Sequence, residues 1–455
     1  MKKLLYLIFT VLSLLGLATS LFLKGSYYEF NSSNVKNNIE YLSSKDFKGR
    51  LAGSEENERI TNEIASTFKE YKLHPLGEDF KENFTIMAPT PNENKCSLRL
   101  LKGSSVIKDF TLGTDFKEDL LNFRESSMTF SKEDRIDIYP KSFSIFKDNV
   151  EYVFRVSFDK TFAFRSSFNE NSNFGFLILI NTSTFNEILN SIREGNTLDV
   201  KLPYSVEPKE VSNVTAMIKG YNSELPPLIL TAHFDHIGTD SLDNVYYGAL
   251  DNASGASFLL EVCRSFSTLK VPERDIIFVA LNGEELGLLG SKEFASKYKN
   301  SLEGAQVINL DMIGVDNTPI TFMSGMNCEN KPSNLLESLE KICTDKDIPY
   351  VEAYKNASDH ASFIYCGFDS LTISHSDLSN IHSPKDTEEK ISSTSIDITY
   401  SLVKNKIIDY AYTDSLLILY DSKAIIFFTI LSFTLIGYYL YRVPLEGIKL
   451  KRWTK

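Results

Sequence analysis

Apolar positions recur at helical spacing between residues 34 and 72, with Val35, Ile39 and Leu42 in one run and Ile60, Ile64 and Phe68 in another. The intervening Gly49-Arg50-Leu51-Ala52-Gly53-Ser54 reads as a loop. From about residue 84 to 213 the pattern changes to short apolar stretches, such as 150–158 and 174–180, divided by polar turns. That pattern predicts a β-rich module. From Val214 onward strands and helices alternate. Residues 227–232, 275–281, 307–310 and 371–373 read as strands. Residues 255–269, 286–299 and 332–346 read as helices, and 388–410 as a last amphipathic helix. Such alternation predicts an α/β domain: a mixed, mostly parallel sheet flanked by helices.

Two longer apolar runs lie outside this scheme. Residues 4–23 follow Lys2-Lys3 and read as a signal peptide or a signal anchor. Ala18-Thr19-Ser20 has cleavage-site spacing, but the apolar run continues through Leu21-Phe22-Leu23, which favours the anchor. Residues 424–441 carry no charge. Tyr438, Tyr439 and Tyr441 cluster at the far end, and the basic Arg442, Lys449, Lys451, Arg452 and Lys455 follow. The plain alternative is a buried core helix, but helical length, an aromatic belt and a basic flank predict a membrane-spanning helix with its tail in the cytoplasm. Lys2-Lys3 would face the same side, which puts the body of the chain outside the cytoplasm.

Charge then narrows the partners. The formal net charge is −12, and the basic residues sit disproportionately at the two ends, so the body is more acidic still. An acidic body repels phosphate backbones, which argues against nucleic-acid binding. Five cysteines without a CxxC pair suggest neither a disulfide scaffold nor a structural zinc site, although they leave room for one bridge.

The chemistry lies where the predicted strands end. Leu228-Ile229-Leu230-Thr231-Ala232 runs into His233-Phe234-Asp235-His236. Residues 276–281 run into Asn282-Gly283-Glu284-Glu285, and 307–310 into Asp311. Parallel α/β sheets build their sites at the carboxyl ends of strands, so these residues are expected to converge. Imidazole and carboxylate donors suit zinc. Each element also has a plain structural reading. Asp251-Asn252 ahead of Gly255-Ala256-Ser257 could be a helix cap, Glu284-Glu285 a solvated first turn, and Asp311 a turn residue. Their coincidence on three strand ends favours a site.

These strings resemble the co-catalytic zinc aminopeptidase family of bacterial leucyl aminopeptidases and aminopeptidase Y, with glutamate carboxypeptidase and the transferrin receptor as more distant relatives. The matching motifs are Thr231-Ala232-His233-Phe234-Asp235-His236-Ile237-Gly238, Gly248-Ala249-Leu250-Asp251-Asn252-Ala253-Ser254-Gly255, and Gly283-Glu284-Glu285-Leu286-Gly287. They continue with Asn309-Leu310-Asp311-Met312-Ile313-Gly314, Ser358-Asp359-His360 and Ile381-His382-Ser383-Pro384-Lys385-Asp386. The resemblance covers roughly 34–88 and 213–410. It implies two zinc ions (similar ligands also accept cobalt or manganese), with Asp251 bridging both. His233, Glu285 and Asp311 each bind one ion, and His382 completes the second position. Glu284 would be the general base and Asp235 would orient the His233 ring. His236 and His375 are left outside the ligand set, and Asp359-His360 is expected to support the site from nearby.

The resemblance, the β-rich pattern and the two terminal apolar runs together predict a domain order, although the C-terminal membrane segment is not part of the family's core pattern. Residues 1–24 would be the signal or anchor, 25–88 the first part of the peptidase domain, and 89–212 an inserted module like the protease-associated domain. Residues 213–415 would be the catalytic domain, 424–441 a transmembrane helix and 442–455 a cytoplasmic tail. The expected activity is removal of N-terminal residues from peptides with a free amino terminus, by a membrane-anchored enzyme facing away from the cytoplasm. Carboxypeptidase or dipeptidase activity on the same site, glutaminyl cyclisation, and a catalytically silent receptor-like ectodomain are the competing readings. The full ligand set weighs against the last two.

Overall fold

The computed structural model describes residues 2–159, 161–329, 331–412 and 415–452. Its main sheet has eight strands: Lys81–Pro91 (β1), Tyr204–Ile218 (β2), Leu228–His233 (β3), Ile276–Leu281 (β4), Gln306–Leu310 (β5), Ile320–Ser324 (β6), Tyr350–Tyr354 (β7) and Asp369–Ser374 (β8). The order across the sheet is β1-β2-β4-β3-β5-β8-β6-β7. The central strands β4, β3, β5 and β8 run parallel, and antiparallel pairings join β2 to β4 and β6 to β8. The core strands β3 and β4 are buried at every position. That is why their sequences are unbroken apolar runs rather than alternating ones.

Helices cover the sheet. Glu55–Glu70 buries Ile60, Ile64 and Phe68, and is capped by Ser54, whose side chain accepts from the Asn57 N–H. Gly255–Ser267, Asn334–Asp345 and Ser393–Ala411 bury apolar positions against the same core. The strands Ile320–Ser324 and Tyr350–Tyr354 and the helix His360–Tyr365 have no counterpart in the sequence-based expectation. They are five or six residues long, too short for a periodic signal.

Between β1 and β2 the chain forms two smaller antiparallel-rich sheets, of four and five strands, and one helix, Thr182–Arg193. The helix was not expected within the β-rich stretch. Its apolar face (Ile188, Leu189, Ile192) packs into the second core, where it joins strand residues such as Phe143 and Phe154. β1 and β2 pair antiparallel without a break from Lys81↔Val214 to Pro91↔Tyr204. The expected borders at 88/89 and 212/213 therefore fall inside these two strands, because a continuous ladder carries the chain from the main sheet into the smaller ones.

The terminal helices Lys2–Ser26 and Ser422–Arg452 lie against each other. Leu4–Ser26 and Ser422–Tyr441 are long and apolar enough to cross a membrane. Their contacts run antiparallel: Tyr6 meets Tyr438 and Tyr439, the Ser13 and Ser432 hydroxyls are 2.7 Å apart, and Gly16 faces the Phe428 ring. A Cβ on Gly16 would sit 2.5 Å from that ring, so glycine permits the approach. Of the expected basic tail, residues 453–455 lie outside the described residues. All five cysteines are free thiols.

Candidate metal centre

The sheet register brings the candidate residues together. β3 and β4 pair so that His233 lies beside Leu281, and β3 and β5 pair so that Thr231 lies beside Asn309. Asp311, two residues beyond Asn309, is thereby level with His233, and Glu284-Glu285 follow directly from β4. Asp251 arrives from another direction, in the turn before the helix Gly255–Ser267. Gly248 opens that turn with φ 57°, where a Cβ would lie 2.3 Å from the Asp251 carbonyl oxygen. Asn252 caps the helix: its Oδ1 accepts from the Gly255 and Met312 N–H groups and its amide donates to the Leu310 carbonyl. The capping role therefore falls to Asn252, and the Asp251 carboxylate is free to face the site.

His233 Nε2 is 3.5 Å from Asp251 Oδ1 and 3.6 Å from Asp311 Oδ1. His382 Nε2 is 3.3 Å from Asp251 Oδ2 and 3.2 Å from Glu285 Oε2. The two groups share Asp251 and use a different oxygen of it. Zinc bonds of about 2.0–2.1 Å place neighbouring donors of a tetrahedron about 3.3 Å apart, so both groups have the spacing of a cation's first shell. Two further observations fit. His233 Nε2 and Asp311 Oδ1 are buried without a hydrogen-bond partner among the described residues. Asp235, Asp251, Glu285, Asp311 and Asp359 are all buried together, and the neighbouring buried cation, Arg50, spends its guanidinium on the carbonyls of Phe234, Tyr247 and Gly248. Buried carboxylates in such excess need positive charge.

The electrostatics report the same deficit. Burial opposes the charged form of His233, yet the carboxylates of Glu284, Asp235 and Asp311 raise its pKa well above the ordinary imidazole value. Burial likewise opposes charge on His382, and Glu285 and Asp251 override it. Both shifts have the same cause, the crowd of carboxylates around the two imidazoles. A bound cation would satisfy the same carboxylates and take the imidazoles as neutral ligands.

Outside the two groups, Asp311 Oδ2 accepts from the Ser358 hydroxyl at 2.7 Å, and Asn309 ties Thr231, Ser358 and Thr372 together. His360 bonds Thr372 and the Lys355 carbonyl. Asp359 is fully buried, and burial pushes its carboxyl up to about 7. Asp386 accepts from the Leu250 and Asp251 N–H groups and so supports the bridging position. Asp235 stands differently from the expectation. Its Oδ1 is 3.7 Å from His233 Nδ1, too long for a hydrogen bond, and its oxygens take the N–H groups of Glu284 and Glu285 instead. The turn after β4 presents both amides to it. His236, set aside in the sequence, lies in the site: its Nδ1 is 2.9 Å from Glu285 Oε1, and it forms a buried cluster with Asp251 and Glu285. His382 faces both carboxylates from the side where Asp251 and Glu285 converge, whereas His236 holds the far oxygen of Glu285. His375 lies apart, accepting from the Gly314 N–H.

Glu284 is only half buried and lines a cleft of about 490 Å³. One wall of the cleft is Gly287–Leu289 and Lys292. The other is Leu121 and Ser166–Asn169, from the stretch between β1 and β2. Burial and the charges of Glu285, Asp359 and Asp311 raise the Glu284 carboxyl well above the usual range, against the pull of His233.

Residues 213–406 match the family model described as Peptidase family M28. A probable zinc metalloprotease of Pyrenophora tritici-repentis is 32% identical over 183 residues, which is 37% of this chain and 42% of the relative. A vacuolar membrane protease of Candida glabrata is 34% identical over 114 residues, 25% of this chain and 11% of the relative. The chain thus spans less than half the length of these curated relatives. A zinc aminopeptidase from Bacillus subtilis has the same fold, with TM-score 0.58 and 18% identity over 85% of this chain and 97% of that one. The family model and the likeness in fold converge on the domain that holds the two donor groups: residues 213–406 are similar to peptidase family M28.

Proposed function

We propose that the chain is a zinc-dependent exopeptidase, and specifically an aminopeptidase. The observation that carries this reading is the pair of donor groups sharing Asp251, with Glu284 beside them lining a cleft. His233 and Asp311 would hold one metal and Glu285 and His382 the other, with Asp251 contributing to both positions. When bound, zinc supplies Lewis acidity and lowers the pKa of a coordinated water from about 15.7 to about 7. Glu284 is the general base: it takes a proton from water and returns it to the leaving amine, a contribution of roughly 10²–10⁴-fold. Burial and the neighbouring carboxylates raise its carboxyl above the usual range, which strengthens it as a base. Asp235 fixes the Glu284 and Glu285 backbone, so that the base and the ligand point to different sides. Its relatives, a probable zinc metalloprotease in sequence and a zinc aminopeptidase in fold, support zinc and peptide substrates.

The stretch between β1 and β2 is proposed as a protease-associated-like module that walls the cleft and limits substrate size. The two apolar helices are proposed as a membrane hairpin, with residues between them outside the cytoplasm. The Candida relative's name, a vacuolar membrane protease, supports membrane association.

Hydrolysis of aminoacyl-chromogenic substrates and their N-acetylated twins, with and without a chelator, tests the reading. Chelator-sensitive release from the free-amine substrates only is expected. No release from either set with two metals bound would move the assignment to carboxypeptidase or dipeptidase activity, and release from the acetylated twins would refute dependence on a free amino terminus.

A further inference from the structure

Residues Phe164–Phe168 lie more than a hundred positions from Glu285 and more than two hundred from His382, yet they run along both. The Arg165 N–H donates to the His382 carbonyl at 3.1 Å, and the Phe168 N–H to the Glu285 carbonyl at 3.0 Å. The Phe164 ring stacks on the His382 imidazole, 5.9 Å between centroids at 22°. The Ser167 hydroxyl donates to Glu285 Oε2 at 2.6 Å, the same oxygen that faces His382. These contacts all fall on the Glu285–His382 half of the centre; the His233–Asp311 half rests instead on Ser358.

The strap is itself held in place. Arg165 is fully buried, and one of its amino nitrogens donates to the Ile237 and Thr239 carbonyls, at 2.7 and 2.6 Å. Asp119 accepts from both the Ser166 N–H and hydroxyl. Phe168 is buried in the core of the inserted stretch. A side chain placed at Ser167 has little freedom to look elsewhere.

From this geometry we infer that Ser167 is a positioning residue for Glu285, so that the stretch between β1 and β2 completes one metal position and leaves the other independent. Glu285 receives His236 on Oε1 and Ser167 on Oε2, which fixes the carboxylate plane. A hydroxyl donating to a buried carboxylate is among the stronger hydrogen bonds. Loss of such a partner to a ligand typically weakens metal affinity about 10- to 100-fold. The inference rests on the two-metal reading above.

The test is zinc titration of the full-length chain in detergent against a competing chromogenic chelator, for wild type, Ser167→Ala and Ser167→Thr. Wild type is expected to bind two zinc ions. Ser167→Ala is expected to keep one at wild-type affinity and to bind the second about 10- to 100-fold more weakly. Ser167→Thr, which restores the hydroxyl, is expected to recover the second. Equal thermal unfolding of the three proteins in excess chelator establishes that the difference is local. Two unchanged affinities in Ser167→Ala, equal weakening of both, or no recovery in Ser167→Thr overturns the inference. A wild type that binds no zinc overturns the two-metal reading beneath it.

Discussion

Lys117 and Asp240 form an ion pair, 3.0 Å between Nζ and Oδ2, with side chains 1% and 0% exposed. It joins the stretch between β1 and β2 to the loop that follows the His233 strand. Lys117 also donates to the Phe162 carbonyl and the Tyr246 hydroxyl. Lys117→Met keeps most of the apolar stem and removes the charge. Asp240 would retain neutral donors, the N–H groups of Leu242 and Asn244 and the Asn244 amide. Phe162 would retain none from Lys117. Removing one partner of a buried pair costs about 3–5 kcal/mol, and the remaining amides place the expected loss near the lower end, about 3 kcal/mol. Adding Asp240→Asn removes the stranded charge and should restore at least half of that loss. The assay is urea unfolding of the full chain followed by far-ultraviolet circular dichroism. The sign of the pH effect follows from Asp240. Burial opposes its charge, but Lys117 and the amides hold its carboxyl below the usual value. That stabilisation is complete above the unfolded carboxyl pKa of about 3.9 and is lost as pH falls below it, so the deficit of the variant should shrink at pH 3. A loss under about 1 kcal/mol at pH 7, or a double variant no more stable than the single one, would refute the account.

Other expectations follow from the same contacts. Glu284→Gln should bind both zinc ions and lose roughly 10²–10⁴-fold in turnover; near-normal turnover would exclude it as the base. Cysteines at Ser13 and Ser432 should form a disulfide when membranes holding the double variant are oxidised, seen as a mobility shift reversed by reductant; no shift would argue against the helix pair. Burial pushes His375 down to about 4. Below the unfolded value of about 6.5 the unfolded chain takes up a proton that the fold refuses, so stability should fall from pH 6.5 to 4 by about 3 kcal/mol. A His375→Gln variant should show a flatter acid limb in the same unfolding assay, and an unchanged limb would contradict the shift.

Much of the candidate centre was legible along the chain because its residues end runs of buried strand. His233 closes one such run, Asp311 follows another directly, and Glu285 lies a short turn beyond a third. An all-apolar strand that stops at an ionisable residue is a local signal, readable without knowledge of what it faces. The helices bearing Ile60, Ile64 and Phe68, or Ile396, Leu402 and Val403, were legible for the same reason, and so were the two apolar runs at the ends. Composition and periodicity are short-range properties, and they determined the α/β class, the strand ends and the membrane-length helices.

The rest depends on contacts between distant positions. No spacing could announce that Ser167 meets Glu285, that Phe164 stacks on His382, or that Arg50 gathers the carbonyls around Asp251. His236 looked like a bystander to the ligand set until the fold turned it onto Glu285, and Asp235 looked like a partner of His233 until the amides of Glu284 and Glu285 claimed it. The unbroken pairing of β1 with β2, residues separated by more than a hundred positions, likewise hid the continuity between the main sheet and the smaller ones. Sequence alone determined which residues could do the chemistry and on which kind of scaffold. Tertiary structure decided which oxygen of each carboxylate faces which imidazole, because hydrogen-bond and metal geometry are set by tenths of an ångström between groups that the chain itself holds far apart.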